Sequence, residues 1–231
     1  MRLNKFIAHA TGVSRREADN LIQTGKVSVN GQVAQLGCNI DGSNDKVAVN
    51  GKVIALPSHA TTIMLNKPIG YVCSRNAQAQ GVHTVYDLLP EELRGLKSIG
   101  RLDKDSSGLI LLTDDGDLAH QLTHPRFAKA KEYIVELDRA LAPLHQQMIS
   151  DFGISLDDGP SKLLLERLDD NRTKFKVTMS EGRNRQIRRT FAALGYQVKA
   201  LHRTSFGPYT LGDLSNGKWT KVIDNSENKP H

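Results

Sequence analysis

The stretch Gly100 to Thr113, Gly-Arg-Leu-Asp-Lys-Asp-Ser-Ser-Gly-Leu-Ile-Leu-Leu-Thr, constrains the fold of this chain more than any other. A short extended approach, Leu96-Lys97-Ser98-Ile99, leads into it, and a polar turn closed by Gly108 is followed by the apolar run Leu109-Ile110-Leu111-Leu112. An apolar run of that length between turn residues reads as a buried strand. In an extended chain residues i and i+2 share a face, so Arg101 and Asp103 are presented together at the end of a strand. An Asp held beside cations stays ionised and is able to act as a nucleophile. Two plainer readings compete. The spacing of Asp103, Asp105, Ser107, Gly108 and Asp114 also suits a calcium loop. Against it, position nine is Leu111, which has no side-chain oxygen, position twelve is Asp rather than Glu, and Arg101 and Lys104 add positive charge where a cation would sit. The other is a strand-turn-strand unit with solvated charges.

A chain of 231 residues holds one medium domain and a small one. The first residues do not read as a signal peptide, and the longest apolar runs are too short to span a bilayer. The two cysteines, Cys38 and Cys73, make neither a disulfide framework nor a metal site. These features predict a cytoplasmic protein with no membrane association and no metal; a monomer is the further expectation. The net charge is +6, and its distribution says more. Nine basic residues fall between Arg172 and Arg203 against Glu181 alone, and five fall between Met1 and Lys26 against Glu17 and Asp19. Two separate basic segments suggest two contacts on a polyanion.

The N-terminal quarter reads as a small module spanning residues 1–56. Leu3, Phe6, Ile7 and Ala10 recur at helical spacing up to Gly12, and Ser14-Arg15-Arg16-Glu17 is a capping-box pattern that opens a second helix ended by Gly25. Asn30-Gly31 after Val27-Ser28-Val29, and Asn50-Gly51 after Val47-Ala48-Val49, are two-residue hairpin signals. A linker is expected at 57–60, a second domain at 61–221 and a polar tail at 222–231. Within the second domain, Thr61 to Leu65 reads as a strand, Asn66-Lys67-Pro68-Ile69-Gly70 as a turn, and Tyr71 to Ser74 as a resumed strand. Asp117 caps a short helix up to Leu122, and His124-Pro125 breaks it. Glu132 to Leu137 and Phe175 to Met179 read as strands, and Ile187, Phe191 and Leu194 mark the buried face of a helix that Gly195 ends. Arg185 lies three and four residues before Arg188 and Arg189, so like charges crowd one helix face. That crowding suits a helix whose counter-anions come from phosphates or from a buried carboxylate, although a solvated cationic helix has the same pattern.

Four elements in order resemble a known family. Gly100 to Thr113 is similar to the G-R-L-D-x-x-[ST]-x-G-L-x-L-L-T signature of RNA pseudouridine synthases. Asn66 to Gly70 resembles the N-K-P-x-G element of that family, Lys131-Glu132-Tyr133-Ile134-Val135 its K-x-Y-x-V element, and Gly182 to Arg188 its G-R-x-x-Q-I-R element. Residues 1–56 resemble the αL RNA-binding module, through Arg2 to Ile7 and Ser14 to Ala18. The chain thus resembles rRNA pseudouridine synthases of the RsuA family. The resemblance implies an α+β fold with a mixed, largely antiparallel sheet and a central catalytic cleft, preceded by the small αL-type domain.

By the same resemblance, Asp103 is the nucleophile, Arg188 the cation paired with it, and Tyr133 the ring that lines the base. Arg101, Lys67, Ile187 and Lys131 line the substrate, and Arg2, Lys5, Arg15, Arg16, Lys26, Arg183, Arg185 and Arg189 contact RNA. The partner implied is ribosomal RNA, and the reaction is an isomerisation of uridine that needs no cofactor. The Asp103 to Ser106 and Asn184 to Arg189 segments look more like the large-subunit members, since the small-subunit member tends to carry Lys where Arg188 stands. The implied target is therefore 23S rRNA, with 16S rRNA second and a non-catalytic ribosome-assembly factor as the alternative of another class.

Overall fold

The computed structural model describes residues 1–57, 60–75 and 81–222. The middle of the expected linker, 58–59, and the tail from 223 lie outside the described residues. The chain divides into two compact units, one of Met1–Thr62 with Gly95–Lys97 and Thr113–Gly116, the other of Ile63–Arg94, Ser98–Leu112 and Asp117–His231.

In the first unit, α1 (Leu3–Thr11) stops at Gly12, whose φ of 77° lets its N–H turn back to the carbonyl of Ala8. Helix α2 (Arg15–Gln23) starts at Ser14, whose Oγ accepts from the Glu17 backbone N–H at 3.1 Å. Strands β1 (Val27–Val29) and β2 (Gln32–Val33) are joined by Asn30-Gly31 at φ 52° and 84°. Strands β3 (Val47–Val49) and β4 (Lys52–Ile54) are joined by Asn50-Gly51 at φ 50° and 77°. Positive φ at both central positions matches the twist of a hairpin, and Asn-Gly adopts it at least cost. The sheet order is β2-β1-β3-β4. Leu3, Phe6 and Ile7 of α1 meet Ala18 and Ile22 of α2 over Val27, Ile40 and Val47, all buried.

The second unit is built on a nine-stranded sheet among the described residues. Its strands are β5 (Thr62–Lys67), β6 (Lys97–Ile99), β7 (Ser107–Thr113) and β8 (Lys131–Leu137). The small hairpin β9 (Ile154–Leu156) and β10 (Gly159–Ser161) stands apart, and β11 (Leu164–Arg167), β12 (Lys174–Met179), β13 (Val198–Phe206), β14 (Tyr209–Thr210) and β15 (Trp219–Lys221) rejoin the sheet. The order is β11-β12-β8-β13-β7-β5-β15, with β14 on β13 and β6 on β7. Strand β13 runs antiparallel to β8 and parallel to β7, so the sheet is mixed. Helices α3 (Gly116–Thr123), α4 (Pro143–Gln147) and α5 (Gln186–Ala192) complete the α+β architecture.

Several boundaries differ from the sequence reading: α3 begins at Gly116, so Asp117 lies in its first turn rather than capping it, and β7 begins at Ser107. Strand β5 runs on through Asn66 and Lys67, because their polar groups find carbonyls: Asn66 Nδ2 donates to Leu214 O, and Lys67 Nζ to Ser106 O. Tyr71 to Ser74 does not resume a strand; Val72 makes a single bridge to Thr84. Helix α5 ends at Ala192, and Leu194 sits in the turn beyond it.

Candidate active site

Strand β7 is where the long signature becomes geometry. Gly108 has φ 102°, and a Cβ on it would lie 2.2 Å from the backbone oxygen of Arg203 and 2.6 Å from its nitrogen. The parallel register pairs Gly108 with Arg203 and Ser107 with His202. Only glycine lets the two backbones close to this distance, and the closure fixes where the preceding loop, residues 103–106, emerges.

That loop is fastened by its own backbone from every side. Gly70 N–H donates to Lys104 O at 2.8 Å, Arg188 Nη2 to Asp105 O at 2.8 Å, and Lys67 Nζ to Ser106 O at 2.6 Å. The Leu102 N–H reaches Cys73 Sγ at 3.5 Å. Three outside donors on the turn and the Leu102 tether at its entrance leave the Asp103 side chain, about one-third exposed, in a fixed position. The Asp103 carboxylate faces an open cavity of about 560 Å³, which Arg101, Tyr133, Lys131, Ile187 and Arg203 also line. The calcium reading fails here: Ser107 to Thr113 is continuous strand, and Asp105 is taken up by arginines.

The cations differ from expectation in one respect that matters. Arg188 does not pair with Asp103. It is largely buried, with Nη1 on Val198 O at 2.9 Å, Nη2 on Asp105 O, and Nε 3.3 Å from Asp105 Oδ2. Rooted one turn inside α5 and held by β13, its guanidinium reaches the loop backbone rather than the Asp103 carboxylate. The cation nearest Asp103 is Arg185, at 3.7 Å from Oδ2. Arg185 caps α5 in the left-handed region, φ 47°, and grips Asp105 with two bonds of 2.9 Å. That grip, with the Arg188 charge behind it, holds the Asp105 carboxyl below its ordinary range. Burial in turn lowers the Arg188 guanidinium.

Other assigned residues also move. Lys67 is fully buried and serves the loop from beneath, its Nζ bonded to Pro68 O and Ser106 O, so it is not a substrate contact. Burial lowers its ammonium, and Cys73 and the two aspartates partly oppose that. Lys131 does line the cavity, with Nζ on the carbonyls of Lys129, Ser180 and Glu181, and burial lowers it as well. Arg183 and Arg189 are not open phosphate contacts. Arg183 spends its guanidinium on Asp158, Gly159 O and Pro160 O, and Arg189 bonds Asp157 at 2.7 Å and Asp158 at 2.6 Å. The acidic turn between β9 and β10 supplies most of the counter-charge, and Glu181 of the basic segment itself stands 3.2 Å from Arg183 Nε. In the first unit, Arg2, Arg15, Arg16 and Lys26 are exposed and Lys5 is half-buried.

Two features of the site escaped the sequence reading. Asp105 organises both arginines. Arg203 is buried at 2% exposure on the central strand and lines the cavity. Its signal is legible in retrospect: an arginine between Leu201 and Ser205 occupies an inward position of an alternating strand.

A fixed carboxylate, an aromatic ring and a ring of cations around an open cavity describe a catalytic unit acting on an anionic substrate, here following a basic helical module. The comparisons with known proteins place it. The family model for RNA pseudouridylate synthase matches residues 61–193, and the S4 domain model matches residues 1–42. The chain is 38% identical to a ribosomal small subunit pseudouridine synthase A of Pasteurella multocida, covering 96% of both chains. It is 36% identical to a ribosomal large subunit pseudouridine synthase B of Salmonella typhi, covering 96% of this chain and 79% of that one. A crystal structure of a pseudouridylate synthase superposes with a TM-score of 0.68 at 34% identity, over 96% of each chain. The chain belongs to the RNA pseudouridine synthase family, in the S4-bearing RsuA group that acts on rRNA.

Proposed function

We propose that this isomerase converts one uridine of 23S rRNA to pseudouridine with Asp103 as nucleophile. The uridine is flipped from its stack into the cavity. The C1′–N1 bond breaks, the uracil turns, and C1′ rejoins at C5 while N1 takes up a proton and C5 gives one up. Asp103 meets the electron deficiency at the ribose. Arg185, with Asp105 as its anchor, places its positive charge 3.7 Å from the Asp103 carboxylate. Arg188 is a positioning residue that holds the loop backbone. Tyr133 lines the base, and Arg101 stands beside it at the exposed edge. The S4 module supplies phosphate contacts through its exposed arginines and Lys26. The product is an isomer of the substrate, so the reaction consumes no co-substrate.

The observation that carries this reading is the Asp103 carboxylate, set by four backbone tethers at a cavity that Tyr133 shares. The large-subunit target rests on Arg188 and the Asn184 to Arg189 segment. One observation favours 16S rRNA instead: the small-subunit relative matches over 96% of its own length, the large-subunit relative over 79%. Incubating the protein with unmodified 16S and 23S transcripts and mapping pseudouridine in both decides between them. A single new site in 23S is the expected result; a site in 16S alone transfers the assignment.

A further inference from the structure

Arg203 lines this site, yet the mechanism above leaves its chemistry unused. Its side chain is among the largest fully buried ones of the described residues. Nε donates to Leu109 O at 2.7 Å, and the guanidinium carbon lies 5.1 Å from the Phe206 ring centroid. Nη2 is buried with no hydrogen-bond partner among the described residues, and none of their carboxylates forms an ion pair with the group. Lys131 Nζ also stands 5.1 Å from the centroid of the Phe206 ring.

An unpaired buried cation is costly, and protein interiors ordinarily avoid it or match it with an anion. The other buried cations here are better satisfied, Lys67 by two carbonyls and Arg188 by two carbonyls and a carboxylate, whereas Arg203 has a single carbonyl. Arg203 stands at the wall of the cavity, in register beside Tyr133 on β8. An arginine offers five donors and no acceptor, so the missing partner is an acceptor, and the favourable positive charge calls for one that is or becomes negative.

We propose that Arg203 is a catalytic residue whose guanidinium, at the cavity wall, donates to a carbonyl oxygen of the flipped uracil and stabilises the anion formed when the base leaves the ribose. When C1′–N1 breaks, its electron pair stays with the ring and spreads from N1 onto O2 and O4. A preorganised donor in a water-poor wall acts most strongly on charge that develops during the reaction. As C1′ bonds to C5 and the C5 proton leaves, the ring becomes neutral again and the donor holds a carbonyl. The inference rests on the cavity's being the uridine site, and holds for either ribosomal subunit.

The test compares leaving groups. An rRNA fragment spanning the mapped target is made with uridine or with 5-fluorouridine at that one position, the fluorinated ring being the better leaving anion. Loss of the N-linked nucleoside is followed in single turnover with the full-length protein. Wild-type conversion of the uridine fragment is the control, and its absence counts against the proposed function rather than against Arg203. Arg203→Met is expected to slow uridine cleavage at least 100-fold, 5-fluorouridine cleavage less than 10-fold, and to leave fragment affinity within 3-fold. Arg203→Lys, which keeps the charge but loses the fork, is expected to fall between wild type and Arg203→Met with the same bias toward the poorer leaving group. Equal losses on the two fragments overturn the proposal, as does a uridine rate within about 3-fold of wild type. Failure of both variants to fold overturns it too, since the cation would then serve the scaffold.

Discussion

Substituting Gly108 by Ala puts the packing of β7 against β13 under direct test. The residue sits at φ 102°, a conformation that costs an L-residue about 1–3 kcal/mol. The new methyl would also lie 2.2 Å from Arg203 O, where ordinary contact begins at 3.4 Å, so more than an ångström of backbone movement is required. That movement separates β7 from β13 at the two paired positions, Gly108–Arg203 and Ser107–His202. Weakening two ladder bonds at about 1 kcal/mol each brings the total to about 3–5 kcal/mol. Urea unfolding of wild type and Gly108→Ala gives the difference, and pseudouridine formation by the folded fraction gives the second reading. Because loop 103–106 begins at this contact, the folded fraction is expected to lose at least 100-fold in rate with little change in RNA affinity. A loss under 1 kcal/mol with full activity would show that the strands do not approach as closely as described.

Neutralising Asp105 as Asn should destabilise the fold near neutral pH. Because the folded carboxyl lies below its ordinary value of 3.8, its contribution is fully present above that value and is lost as pH falls through the folded one. The stability gap between wild type and Asp105→Asn is therefore expected to be constant from pH 7 to about 5 and to shrink below 3.8; a gap that grows on acidification contradicts the pairing. Lys67→Met strands Ser106 O and Pro68 O and is expected to cost about 2 kcal/mol by thermal unfolding while sparing RNA affinity. A stable variant with tenfold weaker binding would return Lys67 to the substrate contacts. Changing Arg2, Arg15, Arg16 and Lys26 together to Gln should flatten the slope of log affinity against log salt by about three units, whereas Arg183→Gln with Arg189→Gln should change it by less than about half a unit. The reverse pattern would place the RNA phosphates on α5.

Local rules carried most of the fold. Gly12, Ser14, Asn30-Gly31 and Asn50-Gly51 fix caps and hairpins through backbone preferences that do not depend on distant residues, and the structure has each where the pattern put it. The Gly100 to Thr113 signature likewise contained its own strand and turn. Pairings between distant segments were a different matter. Arg188 was assigned to Asp103 because both stood in motif positions, yet which arginine reaches which carboxylate depends on the φ of 47° at Arg185 and on the Val198 carbonyl, and neither is written in local sequence. Arg183 and Arg189 looked free because Asp157 and Asp158, which join Glu181 as their counter-ions, lie more than twenty residues away. Lys67 looked like a ligand because a buried lysine satisfied by carbonyls has the same local sequence as an exposed one.

The central claim is that Asp103 performs the chemistry in a site whose other parts only hold it and its substrate. Asp103→Asn changes one oxygen to an amide and leaves the four backbone tethers of the loop intact. Single-turnover pseudouridine formation on the mapped rRNA fragment, read beside RNA affinity and unfolding stability, is the direct measurement. The expected result is no detectable product over hours, with affinity within threefold of wild type and an unchanged fold. Product formation within tenfold of the wild-type rate by the folded variant would contradict the assignment.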